Sequence, residues 1–390
     1  MKPERPNLVA RLTGRGEAPP LLLQGHVDVV TATAQTWTYP PFGGELVDDH
    51  VWGRGAIDMK GGVAMMVAAV LRFVTERRTP PGDVLIALVS DEEAGGFQGA
   101  GWLAANRPEL FHGVRHALGE GGGFAWHVGG RRFYPLMIAE KRVCVTKAVI
   151  RGPGGHGSRP TRGGAMAKLG RALLALDEHR MPVHIGNAAR WMVEWLRDGL
   201  PVGELRENVT QLLDPASTDS ALGRMRDLGW RLHPLLHNSV NATMVRASEK
   251  FNVIPTEVEL LLDCRLLPDE TSDSWLRELG SVLDPEVELS ILGEGKMMPG
   301  PELGTFFETL CDILLEADPG CVPVPSLMSG ATDAMHFAQL GIRTYGFLPH
   351  NFPEGAGYES TMHAADERVP VGALEFGAAA IHQAVERYRA

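Results

Sequence analysis

Several short apolar runs break off at residues that can do chemistry. Leu21-Leu22-Leu23 passes through Gln24-Gly25 to His26 and Asp28. Val84-Leu85-Ile86-Ala87-Leu88-Val89 leads to Asp91, Glu92 and Glu93, and His116-Ala117-Leu118-Gly119 to Glu120. Thr344-Tyr345-Gly346-Phe347-Leu348 leads to Pro349 and His350. Runs of this length without alternation predict buried strands of an α/β sheet. Helical patterns fall between them at 61–75, 301–317 and 371–388. The alternation predicts a layered α/β domain. Sites of open α/β sheets lie beyond the carboxyl ends of the strands, where His26, Glu92, Glu93 and Glu120 are then expected.

The middle of the chain reads differently. A strand at 143–151, a helix at 165–176, strands at 241–247 and 258–265, a helix at 272–283 and a strand at 287–292 follow in order. That order, β-α-β-β-α-β, describes a ferredoxin-like unit. Residues 181–238 interrupt it, and Trp191, Trp195, Trp230 and several leucines mark this stretch as a folded helical insertion. The expected organisation is a split α/β domain, 1–140 and 296–390, around a unit at 141–295. No internal repeat or low-complexity segment stands out.

Composition narrows the function classes. The chain has 390 residues, 44% hydrophobic and 22% charged, enough for a sizeable core. A net charge of −11 argues against nucleic acid or an anionic membrane as partner. Cys144, Cys264, Cys311 and Cys321 form no C-x-x-C pair, so neither a zinc finger nor a redox motif is expected, and a reduced cytoplasmic setting fits. The densest apolar stretch, 63–71, is too short to span a membrane, and no apolar signal segment follows Met1.

The Glu92–Glu93 pair is the strongest chemical signal. Two carboxylates at the mouth of a buried strand repel each other and cost desolvation energy. Either the loop is merely acidic and solvated, or a cation is near. If one glutamate binds a metal, the other stands within reach of what the metal activates. A second signal is Gly53-Arg54-Gly55-Ala56-Ile57-Asp58-Met59-Lys60-Gly61-Gly62. Its glycines permit close backbone approach around one aspartate. It is not a phosphate loop, because glycine rather than Ser or Thr follows Lys60; Asp58 could also simply cap the helix behind it. His26, Asp58, Glu93, Glu120 and His363 together form a borderline ligand set suited to zinc, with cobalt or manganese as substitutes. They are too many for one tetrahedral catalytic zinc but suit two, with one carboxylate bridging. Two dications then balance three carboxylates and a hydroxide. Asp28 could orient the His26 imidazole from behind.

These segments, with Gly119-Glu120-Gly121-Gly122, Gly154-Gly155-His156-Gly157-Ser158 and Asn252-Val253-Ile254-Pro255, resemble one family of metallohydrolases. It includes acetylornithine deacetylase, succinyl-diaminopimelate desuccinylase, aminoacylase, glutamate-releasing carboxypeptidase and related dipeptidases. The resemblance runs from Asn7 onward. It implies a three-layer α/β/α zinc-peptidase catalytic domain with an inserted ferredoxin-like lid that forms a homodimer. It implies Asp58 bridging two zinc ions, His26 and Glu120 completing one site, Glu93 and His363 the other. Glu92 would be the general base, which takes a proton from water and passes it to the leaving amine. The Asp58-Met59 peptide would be cis.

Gly152-Pro153-Gly154-Gly155-His156-Gly157 also fits a dinucleotide fingerprint formally, but residues 158–164 separate it from the next helix. A nucleotide-dependent oxidoreductase is therefore rejected. His156 on its own reads as a turn histidine. The resemblance implies instead that it reaches the partner subunit's metal site and stabilises an oxyanion. Asn252 and Arg265 match positions that hold a substrate carboxylate or oxyanion, although Arg265 also reads as an exposed strand residue. Gly330-Ala331-Thr332-Asp333 resembles a loop lining the substrate pocket.

The expected activity is hydrolysis of an amide or peptide bond in an N-acyl amino acid or short peptide with a free carboxylate. An aminopeptidase of related fold is one alternative, and the inserted His156 segment argues against it. A truncated, catalytically impaired homologue is another, and the intact Glu92 argues against that. Family members usually carry a helix, a strand and a helix before the segment that starts this chain, so exposed apolar surface is expected on one flank.

Overall fold

The computed structural model describes residues 4–389. They include an eight-stranded mixed sheet, in the spatial order Leu8–Leu12, Val84–Val89, Leu21–His26, His116–Gly119, Arg343–Gly346, Arg131–Glu140 and Val322–Met328, with Trp126–Val128 paired beside Arg131–Glu140. The central strands are apolar without alternation because helices cover both faces. Leu21, Leu23, Val84 and Ile86 share a core with Met65, Met66 and Phe73 of helix Lys60–Thr75 and Ile381 of helix Val371–Arg387. Leu22, Leu85, Ala87 and Val89 face the other way, onto Leu103 of helix Ala100–Asn106, Phe111 and Phe337. The result is the expected α/β/α layering.

Four strands of this sheet are not foreseen in the apolar pattern, Leu8–Leu12, Trp126–Val128, Arg131–Glu140 and Val322–Met328. Val322–Met328 carries Pro323 and Pro325, and Arg131–Glu140 carries Pro135. Proline weakens a strand reading because it cannot donate to the ladder. Val322–Met328 tolerates it by lying at the sheet edge. Leu8–Leu12 forms the opposite edge, antiparallel to Val84–Val89. Strand Leu8–Leu12 thus precedes Leu21–His26, the first strand that the apolar runs predict. Leu8 on this edge, and Leu71 and Val74 on helix Lys60–Thr75, are exposed apolar side chains.

A second sheet has the order Ser239–Arg246, Glu257–Leu266, Arg142–Arg151, Glu288–Glu294, antiparallel throughout. Arg142–Arg151 and Ser239–Arg246, the first and second strands along the chain, are separated by the third, Glu257–Leu266, as a split β-α-β requires. Glu257–Leu266 alternates strictly, burying Val258, Leu260, Leu262, Cys264 and Leu266 against Leu169 and Trp275 of helices Ala165–Glu178 and Ser272–Val282. Thr271 and Ser274 form a reciprocal capping box on the latter.

Residues 181–238 fold into helices Asn187–Gly199, Glu204–Gln211, Pro215–Arg224 and Asp227–Leu232. Although the sequence places them inside the second unit, they share the core of the large sheet. Met192, Val193 and Leu196 cluster with Phe133, Leu136, Phe307 and Val324. Gly199 lets this helix approach closely, because a Cβ there would lie 2.6 Å from the Phe133 ring. The four cysteines are free and buried, and no helix among the described residues is long and apolar enough to cross a membrane.

Candidate metal centre

Parallel pairing sets His26 level with Val89, so His26 ends its strand beside the turn that bears Glu92 and Glu93. Glu120 follows the next strand, His116–Gly119. Asp58 lies in the turn before helix Lys60–Thr75, and the Asp58-Met59 peptide is cis. Asp58 is not a cap for that helix: Met59 occupies the cap position and no side chain caps it. His363 comes from a distant loop with a left-handed backbone, φ 59°. These side chains converge from five segments of the chain.

Two triads result. His26, Asp58 and Glu120 form one, and Asp58, Glu93 and His363 the other, with donor atoms in each lying within 4.8 Å of one another. His26 Nε2 is 3.1 Å from Asp58 Oδ1 and 3.6 Å from Glu120 Oε2. His363 Nε2 is 3.0 Å from Asp58 Oδ2 and 3.2 Å from Glu93 Oε1. Tetrahedral ligands at about 2.1 Å from a zinc ion stand roughly 3.4 Å apart, so these separations fit. His26 Nδ1–H donates to the Asp28 carbonyl at 2.9 Å, a bond only the protonated nitrogen can make, which aims Nε2 at the triad. The Asp28 carboxylate lies 3.7 Å from the same nitrogen. It accepts the backbone N–H groups of Glu92 and Glu93, both at 3.2 Å, and so fixes that turn.

The electrostatics of this donor set call for a cation. Burial, the Glu120 charge and the nearby Asp333 and Glu93 charges push the Glu92 carboxyl up to about 9, against the opposing pull of His26. Burial and the Asp58 charge push Glu93 up as well. Burial alone would lower His26, but hydrogen bonds with Asp58 and Glu120 drive it to about 12. Asp58, Glu92, Glu93 and Glu120 gather here among imidazoles, while the one arginine lining the pocket, Arg265, is already paired with Asp263, and a dication relieves that field.

Arg265, Gly330 and Thr332 line the same pocket of about 470 Å³ as Asp58, Glu92, Glu93, Glu120 and His363. Arg265 is held in a fork by Asp263, Nε to Oδ1 at 2.7 Å and Nη2 to Oδ2 at 3.0 Å. Thr332 spends its hydroxyl and its N–H on Glu140 Oε2, at 2.8 and 3.0 Å, so it shapes the loop. His156 and Asn252 are exposed and lie outside this pocket. They are neighbours on the second unit, where Gly155–His156 pairs with Val253–Ile254.

Sequence reasoning missed two buried carboxylates around the site, Glu140 and Glu367, and named a third, Asp333, only as part of the pocket loop 330–333. Glu140 sits beneath the Thr332 loop, and burial pushes it up to about 8. Both carboxylate oxygens of Asp333 are buried without a hydrogen-bond partner among the described residues, and burial with the Glu120 charge pushes this carboxyl to about 8. Glu367 accepts the N–H groups of Gly55 at 2.9 Å, Ile57 at 2.8 Å and Asp58 at 3.1 Å. A signal for Glu367 existed: Arg54, a lone charge between glycines, needs a partner if buried.

The model for "Peptidase family M20/M25/M40" matches residues 22–387. The succinyl-diaminopimelate desuccinylase of Cereibacter sphaeroides (strain KD131 / KCTC 12085) is 30% identical over 388 residues, 95% of this chain and 83% of that protein. The N-fatty-acyl-amino acid synthase/hydrolase PM20D1 of Mus musculus is 26% identical over 380 residues, 90% of this chain and 71% of that protein. In fold, the chain is similar to the M20 family metallo-carboxypeptidase Sso-CP2 from Sulfolobus solfataricus, with a TM-score of 0.65 at 15% identity, covering 98% of this chain and 87% of that one. The chain therefore belongs to peptidase family M20/M25/M40, and it is a metal-dependent hydrolase of amide or peptide bonds.

Proposed function

We propose that the protein hydrolyses the amide bond of an N-acyl amino acid, or of a short peptide, that keeps a free carboxylate. The observation that carries this reading is the pair of triads sharing Asp58, with Glu92 left over 3.9 Å from His26 Nε2. His26, Asp58 and Glu120 would hold one zinc ion, and Asp58, Glu93 and His363 a second. When bound, such ions acidify water to a pKa of roughly 7 and polarise an amide carbonyl. Glu92 takes the proton at its carboxylate and returns it to the leaving nitrogen. Its surroundings suit that role, since burial favours the protonated carboxyl while the proton is in transit. Asp28 keeps the Glu92 backbone still while this happens.

Arg265 presents its remaining N–H groups to the pocket, where a substrate carboxylate fits a guanidinium fork. The second unit acts as a lid. His156 and Asn252 at its tip serve the site of a partner subunit in a homodimer. Strand Ser239–Arg246 supports this, because it is an edge strand with Met244 and Val245 exposed beside Phe251 and Val253. The relatives named for desuccinylation and for N-fatty-acyl amino acids favour an acyl-amide substrate. The buried free thiols suit a reduced cytoplasm.

Metal analysis after zinc reconstitution, with a panel of N-acetyl, N-succinyl and dipeptide substrates, tests the reading. Two equivalents per chain are expected. Glu92→Gln should keep them and lose about 10²- to 10⁴-fold in kcat. Fewer than one equivalent, or full activity in Glu92→Gln, overturns the assignment.

A further inference from the structure

A cavity of about 930 Å³ lies beside the metal pocket, near the top of the roughly 300–1,000 Å³ range of small-ligand sites. The two adjoin. Met328 lines both. Gly121, which follows Glu120, and Met362, which precedes His363, line the larger one. Gly121 has φ 91°, and a Cβ there would lie 2.8 Å from Met328 Sδ, so a side chain would crowd this junction.

The two spaces differ in chemistry. The metal pocket is crowded with carboxylates. Among the described residues, no carboxylate lines the larger cavity; Phe124, Trp126, Leu235 and the two methionines form an apolar part of its wall, Arg231 lies over the Trp126 ring, and Asn241 and serines complete the lining. Trp230 stands at its edge and is 81% exposed, unusual for so large an apolar group. Burial and the neighbouring His237 lower His233 to about 4, so this lining imidazole is uncharged at neutral pH. Trp230 and Leu235 come from the 181–238 insertion, which thus packs on the large sheet and walls the cavity at once. A peptide's free ammonium would find no carboxylate here, whereas a hydrocarbon chain would find an apolar wall leading away from the reacting centre.

We propose that this cavity receives the acyl chain of a medium- or long-chain N-acyl amino acid. The inference rests on the amide-hydrolase reading and names its substrate class. The acyl carbon lies at the metal centre and the amino-acid carboxylate at Arg265. Hydrolysis breaks the C–N bond, leaves the oxygen of water on the acyl carbon as a carboxylate, and leaves both protons of that water on the released nitrogen, which departs as an ammonium.

The test uses the zinc-loaded protein and N-acylglycines from acetyl to dodecanoyl. Both kcat/KM in wild type and affinity in Glu92→Gln, read by calorimetry, should rise about fourfold per added methylene until the cavity is filled, equivalent to ~0.8 kcal/mol each. Leu235→Trp should cut the dodecanoyl-to-acetyl ratio at least tenfold. Trp230→Ala, at an exposed position that leaves the core intact, should cut it several-fold. A flat chain-length series, or a preference for dipeptides with a free amine, overturns the proposal while leaving amide hydrolysis standing. Chain-length-dependent binding without turnover of any substrate supports the cavity and overturns the hydrolase reading instead.

Discussion

Arg54 and Glu367 form a buried ion pair beneath the loop that carries Asp58. Arg54 Nη1 lies 2.7 Å from Glu367 Oε2, and the two side chains are 1% and 0% exposed. The same carboxylate collects the N–H groups of Gly55, Ile57 and Asp58. Glu367 is also only a few residues beyond His363. One side chain therefore ties together the loops of two candidate ligands, Asp58 and His363, that are far apart in sequence. Glu367→Ala would strand Arg54 without a counter-charge and leave these N–H groups unpaired. A loss of about 3–5 kcal/mol in urea unfolding is expected. A loss below about 1 kcal/mol would show that the pair is dispensable.

Sharing of Asp58 predicts unequal metal losses. His26→Ala should release one zinc equivalent and His363→Ala the other, whereas Asp58→Ala should release both. Dialysis followed by elemental analysis reads this directly. One tightly held ion remaining in Asp58→Ala would show that the aspartate does not bridge.

Complementation tests the placement of His156. Subunits carrying His156→Ala and subunits carrying Glu92→Gln are each expected to be nearly inactive. In a mixed dimer, the His156→Ala chain keeps Glu92 and can borrow its partner's His156. Random exchange should restore about a quarter of wild-type activity, from half of the dimers with one working site each. No recovery after confirmed exchange rejects action across the dimer.

His184 gives a pH-dependent contact between the insertion and the second unit. Its Nε2 lies 2.9 Å from Glu278 Oε2 and its Nδ1 3.2 Å from Glu270 Oε1. The hydrogen bond to Glu278 outweighs burial and raises the imidazole pKa above 6.5. A raised folded-state pKa stabilises fully below the unfolded value and loses that contribution as pH rises through the folded one. The stability gap between wild type and His184→Gln should therefore be largest near pH 6 and shrink toward pH 9. A gap that widens with pH in denaturant titrations contradicts the sign.

The reading from the chain alone reached the strands that end at His26 or lead into Glu93 and Glu120 because both faces of those strands are buried. An uninterrupted apolar run records that burial locally, and the polar residue that ends it is visible at once. The strands of the second sheet were equally legible, Glu257–Leu266 through its alternation. Prolines hid Val322–Met328 and Arg131–Glu140, because their compatibility depends on position in the sheet. Glu367 stayed hidden for a related reason: a carboxylate beside an aspartate near a histidine looks like a solvated loop until Arg54 is seen beneath it.

Which residue types do the chemistry is a local property, written in the order of strand ends, glycine turns and lone histidines. Which surfaces meet is not. Amphipathic periodicity announces that the 181–238 helices bury a face, but only long-range packing decides that the face meets Phe133 and Val324 rather than the sheet they interrupt. In the same way, closure of distant loops brought Arg265 of one sheet into the pocket of the other and left His156 outside it.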